Sequence, residues 1–153
     1  MDKGPLGSVG DYAASIGTTG SDAPVILRGS PPIPPNGVFQ AITGIRFMEI
    51  SDGLSNTLLI GEKHVPRGKE GINPWDCSFF DGHNPACSTR AAGPAFPLAV
   101  SANDQGWKFG SHHPGLCQFV FCDGSVHTLV TSIDPVVLGL LAQRNDGQVV
   151  PPY

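Results

Sequence analysis

The chain has 153 residues, 40% of them hydrophobic and only 14% charged, with 20 glycines and 15 prolines; a chain of this size buries roughly 70% of its unfolded surface around one core. So little charge beside so many turn formers points to short strands and ordered loops and away from a helical bundle. A net charge of −4 without any run of Lys or Arg excludes phosphate-neutralising contact with nucleic acid and a polybasic membrane patch.

The opening MDKGPLGSVG has no hydrophobic segment of the signal-peptide kind, so either a cytoplasmic location or a missing native start is expected. DYAASIGT (11–18) reads as a short strand or a turn. RGSPPIPPNGVFQ (28–40) carries four prolines, which fix φ and remove donors. It is expected as an extended loop laid over the surface. ITGIRFMEI (42–50) partly alternates and predicts a strand; SDGLSNT (51–57) is a polar turn; TLLIGEK (57–63) is a second apolar strand. Residues 64–106 show little periodicity and predict ordered loops.

FGSHHPGLCQFVFCDGSVHTLV (109–130) holds three histidines, two cysteines and an aspartate, yet it alternates, turns and alternates again. Asp123-Gly124 signals a two-residue type I′ hairpin turn, in which both central residues need positive φ. That register sets Phe121 opposite Val126 and Phe119 opposite Thr128. Cys117, Phe119, Phe121, Val126 and Val130 then share one face, and Gln118, Val120, Cys122, His127 and Leu129 the other. SIDPVVLGLLAQRNDG (132–147) predicts a short helix capped by Asp134, with Pro135 in its first turn and Val137, Leu138 and Leu141 toward the sheet. Its PVVLGLLA is the longest apolar run, well short of the roughly 18 residues of a membrane span. Hairpin, 42–63 unit and 135–142 helix together account for the apolar residues as one core, with none left for a large interface.

Each candidate site has a plainer structural reading. His112, His113 and His127 suggest a metal, but a metal needs three or four ligands within about 2–2.5 Å of one point, and the expected pairing keeps His113 and His127 apart. His113 is expected to bond locally and shape the SHHPG loop. Ser55 and Ser111 lie outside any G-x-S-x-G setting and pair with no evident base. The four cysteines, at 77, 87, 117 and 122, contain no C-x2-C pair. Cys77 and Cys87 bracket the turn FFDGHNPA and are expected to form a disulfide; Cys117 and Cys122 cannot readily pair, and Cys122 reads as a small buried thiol. Trp75 and Trp107 read as loop anchors before sugar platforms. Asp52, Ser55 and Asn56 would satisfy their own turn before they bound calcium.

Three ordered blocks carry a resemblance: ISDGLSNTLLIGEK (50–63), the H-x9-DG arrangement of His113 with Asp123 and Gly124, and IDPVVLGLLAQRNDGQVV (133–150). Together they resemble the bacterial prepilin-type H-x9-DG domain family (domain of unknown function 1559), described as pseudopilin-like putative transporters. The resemblance implies an extracytoplasmic head domain spanning 1–153, whose relatives usually carry a cleaved, methylated leader and a long apolar helix not found in this sequence. It implies no catalytic residue, metal or cofactor. Asp52, Gly53, Ser55, Asn56, Thr57, Gly61, Glu62, His113, Asp123 and Gly124 become structural motif residues.

The expected fold is α+β, mainly antiparallel sheet with long ordered loops and a short C-terminal helix packed on it. The expected function is that of a non-catalytic head domain in an envelope-associated secretion or pilus-like system. Its partners would be other pilin-like subunits, met through the absent N-terminal helix, and this chain alone would be a soluble monomer or weak dimer. One alternative is an extracytoplasmic glycan- or ligand-binding module with an open groove at Trp75 or Trp107. The other is a metal-dependent enzyme uniting His113 and His127 with Asp123 or Glu62.

Overall fold

Five strands and one helix form an α+β architecture in a computed structural model that describes residues 8–78, 80–81 and 84–153. Residues 1–7, and Phe79, Gly82 and His83 of the FFDGHNPA turn, lie outside the described residues. The strands are β1 (Tyr12–Ser15), β2 (Leu58–Glu62), β3 (Thr89–Arg90), β4 (Leu116–Phe121) and β5 (Val126–Val130), and the helix α1 is Pro135–Ala142. The sheet order is β3-β1-β2-β4-β5, antiparallel throughout except that β3 runs parallel to β1.

One face of the sheet is covered. Ala13, Leu58, Cys117, Phe119, Phe121 and Leu129 meet Leu138, Leu141 and Ala142 of α1 in the main core, which Ala92, Leu98 and Phe109 complete from the long loop. The Phe109 and Phe119 rings meet edge-on, with centroids 5.1 Å apart. Gly61 lies under both rings with no room for a Cβ, which explains a glycine inside an otherwise apolar strand. α1 starts as expected: the Asp134 carboxylate accepts from the Val136 amide at 2.8 Å, with Pro135 behind it. Its Leu138 and Leu141 are fully buried and Val137 half-buried.

The opposite face is open. Ala14 pairs with Ile60, Ile60 with Val120 and Val120 with Val126, so one apolar row crosses four strands on that side. Tyr12 and Phe39 join it at a shallow groove of about 660 Å³. Not all apolar residues are spent on one core, contrary to the sequence accounting.

Two further expectations are corrected. Residues 42–50 form no strand. Ile42 stands at φ 68, and a short 3-10 turn spans Phe47–Glu49. The Arg46 amide donates to the Glu49 carboxylate and the Glu49 amide to the Arg46 carbonyl, each at 2.9 Å, which closes the turn locally. The alternation of 42–50 finds no strand beside it, and Ile42, Phe47 and Met48 are exposed.

The hairpin turn is also different. Phe121 donates to the Ser125 carbonyl and Gly124 to the Phe121 carbonyl, both at 2.9 Å, and only Gly124, at φ 86, has positive φ there. Asp123 is not left-handed, so the type I′ turn gives way to a three-residue loop whose glycine forms the bulge. Val126 therefore pairs with Val120, His127 with Phe119 and Leu129 with Cys117. A one-residue slip turns every β5 side chain over. His127 and Leu129 face the core side, while Val126 and Val130 are 65% and 51% exposed on the open side.

A disulfide joins Cys77 to Cys87 across the loop region, with Cα atoms 5.0 Å apart, and Cys117 and Cys122 are buried free thiols. Burial pushes the Cys117 thiol up to about 12 and the Cys122 thiol up to about 11, so neither is a nucleophile near neutral pH. Thiol titration is expected to find two reactive groups in unreduced, denatured protein, four after reduction, and slow reaction of both in the native state. Opening the cross-link, with Ser at both positions, should cost roughly 3 kcal/mol on the chain-entropy model, read as a lower urea midpoint. Four thiols without reduction would remove the cross-link.

Candidate functional site

The motif residues spend their polar groups on the fold. Both Asp52 carboxylate oxygens accept backbone amides beyond α1, Asp146 at 2.7 Å and Gly147 at 2.9 Å. Asn56 donates to the Asp52 carbonyl, and the Thr57 hydroxyl to the carbonyl of Gly53, which stands at φ 98. The hairpin tip hangs from the same segment: the Cys122 amide donates to Thr57 and the Asp123 amide to Leu54. Residues 52–57 thus tie the β4–β5 turn to the chain after the helix, and calcium would have to displace the amides that hold Asp52. Ser55 is exposed beside them. Arg144 completes the knot by donating to the Pro35 and Gly37 carbonyls.

His113 sits at the entry to β4. The Ser111 hydroxyl donates to the Leu116 carbonyl at 2.7 Å and accepts the His113 amide at 3.0 Å, which closes the SHHPG loop. The His113 imidazole is 66% exposed and lies 3.4 Å from Glu62, whose other oxygen accepts the Gln118 amide at 2.6 Å. The loop is therefore shaped by Ser111 and Glu62 more than by the ring. His113→Ala is expected to cost only about 0–1 kcal/mol, the scale of an exposed ion pair, not the scale of a lost buried hydrogen bond. Thermal melts check this, and a loss well above about 1 kcal/mol would mean the ring carries the loop.

Asp123, Ser125 and His127 form a chain at the hairpin tip that no sequence pattern announced. The Ser125 hydroxyl donates to Asp123 at 2.6 Å and stands 2.9 Å from His127 Nε2. Because the serine proton goes to the carboxylate, the imidazole donates to Ser125 and does not act as its base, the reverse of a nucleophilic triad. The bond from the Ser125 hydroxyl, then that from its amide, holds the Asp123 carboxyl below its usual range. His127 packs on Phe121 with ring centroids 4.6 Å apart.

A buried charge cluster lies under the long loop, also unannounced. Lys63 Nζ meets Asp76 at 2.6 Å, with side chains 1% and 7% exposed, and the second Asp76 oxygen accepts the Gly71 amide. Arg90, 1% exposed, donates to the carbonyls of His64, Trp75, Ala86 and Thr89. Desolvation pulls its guanidinium down to about 10, partly offset by Asp76, so it stays charged at neutral pH. Lys63 and Asp76 also line a polar cleft of about 440 Å³ with Glu62, Glu70, His112 and His113.

His64, buried beside this cluster, donates from Nε2 to the Asp104 carbonyl at 2.8 Å. Desolvation lowers its pKa below the ordinary 6.5, against the raising effect of Asp104. The unfolded chain therefore takes up a proton on acidification that the fold refuses. The resulting stability is full above pH 6.5 and declines as pH falls below it. Urea midpoints compared on either side of that pH are expected to show the decline, and His64→Gln to flatten it. An unchanged slope in the variant would assign the decline to other groups.

No three His, Cys, Asp or Glu side chains converge on one point among the described residues. His113 and Glu62 meet by the outer side of the sheet, whereas His127 faces Phe121 on the other. Of the tryptophans, Trp75 is half-buried with the Lys69 ammonium 4.6 Å above its ring, and Trp107 is 42% exposed.

No curated protein and no solved structure matches the chain. The family described as Protein of unknown function (DUF1559) matches residues 10–136, and so takes in β1 to β5, the 52–57 knot, the H-x9-DG turn and the start of α1. On that span, the chain belongs to the DUF1559 family of proteins of unknown function.

Proposed function

We propose that this is the non-catalytic head domain of a pseudopilin-like, envelope-associated subunit, and that its open sheet face seats an apolar helix of such a subunit. The observation that carries the reading is the row Ala14, Ile60, Val120 and Val126, apolar across four strands, with the first three half-buried and Val126 exposed. A sheet face of this kind is a place for another element to pack. Beside this row, Glu62, whose carboxylate accepts the Gln118 amide, and Thr128, which pairs with Gln118, give that side of the sheet a polar border. Among the described residues no helix is long and apolar enough to cross a membrane, so the anchoring helix of this reading is a segment outside them.

Two further observations support it. The motif residues Asp52, Thr57 and Glu62, and Ser111 beside them, bond backbone partners, and among the described residues no three His, Cys, Asp or Glu side chains form a metal-ligand set. The Cys77–Cys87 disulfide suits an oxidising, extracytoplasmic compartment.

Peptide mapping of the native protein from fractionated cells tests the proposal. The expected result is an envelope-associated protein with Cys77 and Cys87 cross-linked and an N-methylated apolar segment of about 20 residues ahead of the head. Recovery from the cytoplasm, with both cysteines reduced and no such segment, would overturn it.

A further inference from the structure

Trp107, 42% exposed, lines a cavity of about 170 Å³ between β3, the loop at Ser21–Asp22 and the turn Pro85–Cys87. We propose that this cavity binds a single pyranose ring, with Trp107 as the stacking platform and Asp22 as the acceptor for ring hydroxyls.

The lining carries the choice of ligand. Ile16, Ala91 and Pro85 make it mostly apolar. Asp22 also lines it, and among the described residues its carboxylate has no hydrogen-bond or ion-pair partner. The Thr89 hydroxyl already donates to the Pro85 carbonyl, so its oxygen remains an acceptor. Asn84 donates one amide proton to Asn73 and keeps the other. A fitting ligand must therefore bring several hydrogen-bond donors on one side and an apolar C–H face on the other. A pyranose does both: its C–H face lies on an indole, and neighbouring hydroxyls bond a carboxylate. The volume is below the usual range for drug-sized ligands, which limits the occupant to about one ring. A small organic cation would also answer Asp22, but a cage for such a cation is built from several aromatic walls, and among the described lining residues Trp107 is the one aromatic.

The wall is set in advance. Cys87 ends the turn that carries Pro85 and Ala86, and its disulfide fixes that turn to the 64–77 loop. A preformed wall lowers the ordering cost of binding. The cavity shares Thr89 with the open sheet face but needs no helix seated there, so the proposal stands apart from the head-domain reading.

Intrinsic fluorescence of the whole chain tests it, with methyl glycosides of glucose, galactose, mannose and N-acetylglucosamine as probes and choline as the cation. At least one glycoside is expected to change the emission saturably, with a Kd of about 1 mM for so small a ligand. Trp75→Phe should keep the response, which places it at Trp107. Trp107→Ala, read by calorimetry, and Asp22→Asn, read by fluorescence, should each weaken binding by about tenfold or more. Absence of saturation for every glycoside, equal affinity in the Asp22→Asn and Trp107→Ala variants, or preference for choline would each overturn the proposal.

Discussion

Arg90→Met is expected to lower stability by about 3–5 kcal/mol, the scale of an uncompensated break in a buried polar network. Arg90 is 1% exposed, and its guanidinium serves four carbonyls drawn from three parts of the chain: His64, Trp75 and the 86–89 turn. Methionine fills much of the volume but returns none of the donors, so those carbonyls are left buried and unpaired. Arg90→Lys should be intermediate, because one ammonium cannot span carbonyls that a planar fork reaches together. Since Arg90 forms half of β3, the loss should open that edge of the sheet first, with early amide exchange at Thr89 to Ala92. Chemical denaturation measures the energy and hydrogen exchange the place. A cost below about 1 kcal/mol would mean that the carbonyls find water and that the network is not what holds β3.

The second large effect is expected at Asp76. Asp76→Asn leaves the Lys63 ammonium, 1% exposed, without a counter-charge at 2.6 Å, and should also cost about 3–5 kcal/mol. Removing both charges in the pair Lys63→Met, Asp76→Leu should recover most of that loss, because no buried charge is then unpaired. The double variant being no better than Asp76→Asn would show that the Gly71 amide bond, and not the ion pair, dominates. Asp76 also acts on Arg90 through space, so Arg90 and Asp76 losses should not add.

These two sites share a location with consequences for the proposals. Arg90 and the Cys77–Cys87 disulfide hold the loop that walls the Trp107 cavity, and β3 borders the open sheet face. Variants that loosen this corner are expected to disturb both, whereas Asp22→Asn should touch the cavity alone.

Much of the fold was legible because its signals are local. The apolar run at 135–142 beside Asp134 and Pro135 specified a capped helix by itself, and the alternation of Leu116–Phe121 specified a strand. Glycine at 124 marked the turn, and the span Cys77 to Cys87 was short enough to suggest a cross-link. The blocks at 50–63, 113–124 and 133–150 also carried the family, and in the fold the first binds the other two: Asp52 accepts the Asp146 and Gly147 amides, Glu62 accepts the Gln118 amide, and the Leu54 and Thr57 carbonyls accept from Asp123 and Cys122.

What only the tertiary structure decided depends on partners distant in sequence. Residues 42–50 alternate well enough for a strand, but a strand exists only beside another, and none lies there. β3 has two residues and no pattern; it forms because Ala14 and Ile16 donate across to Ser88 and Arg90. The hairpin register turned on whether Asp123 or only Gly124 would take positive φ, a small local difference that exchanged Val126 and Val130 for His127 and Leu129 on the core side. Nothing local in the sequence marks Lys63, Asp76 and Arg90 for burial; they are buried because the loop folds over them and supplies the carbonyls that replace water. Composition and spacing thus determined which segments were helix, strand and turn where neighbours along the chain satisfy one another, and the assembled sheet determined which faces are covered, which is open and which charges are enclosed.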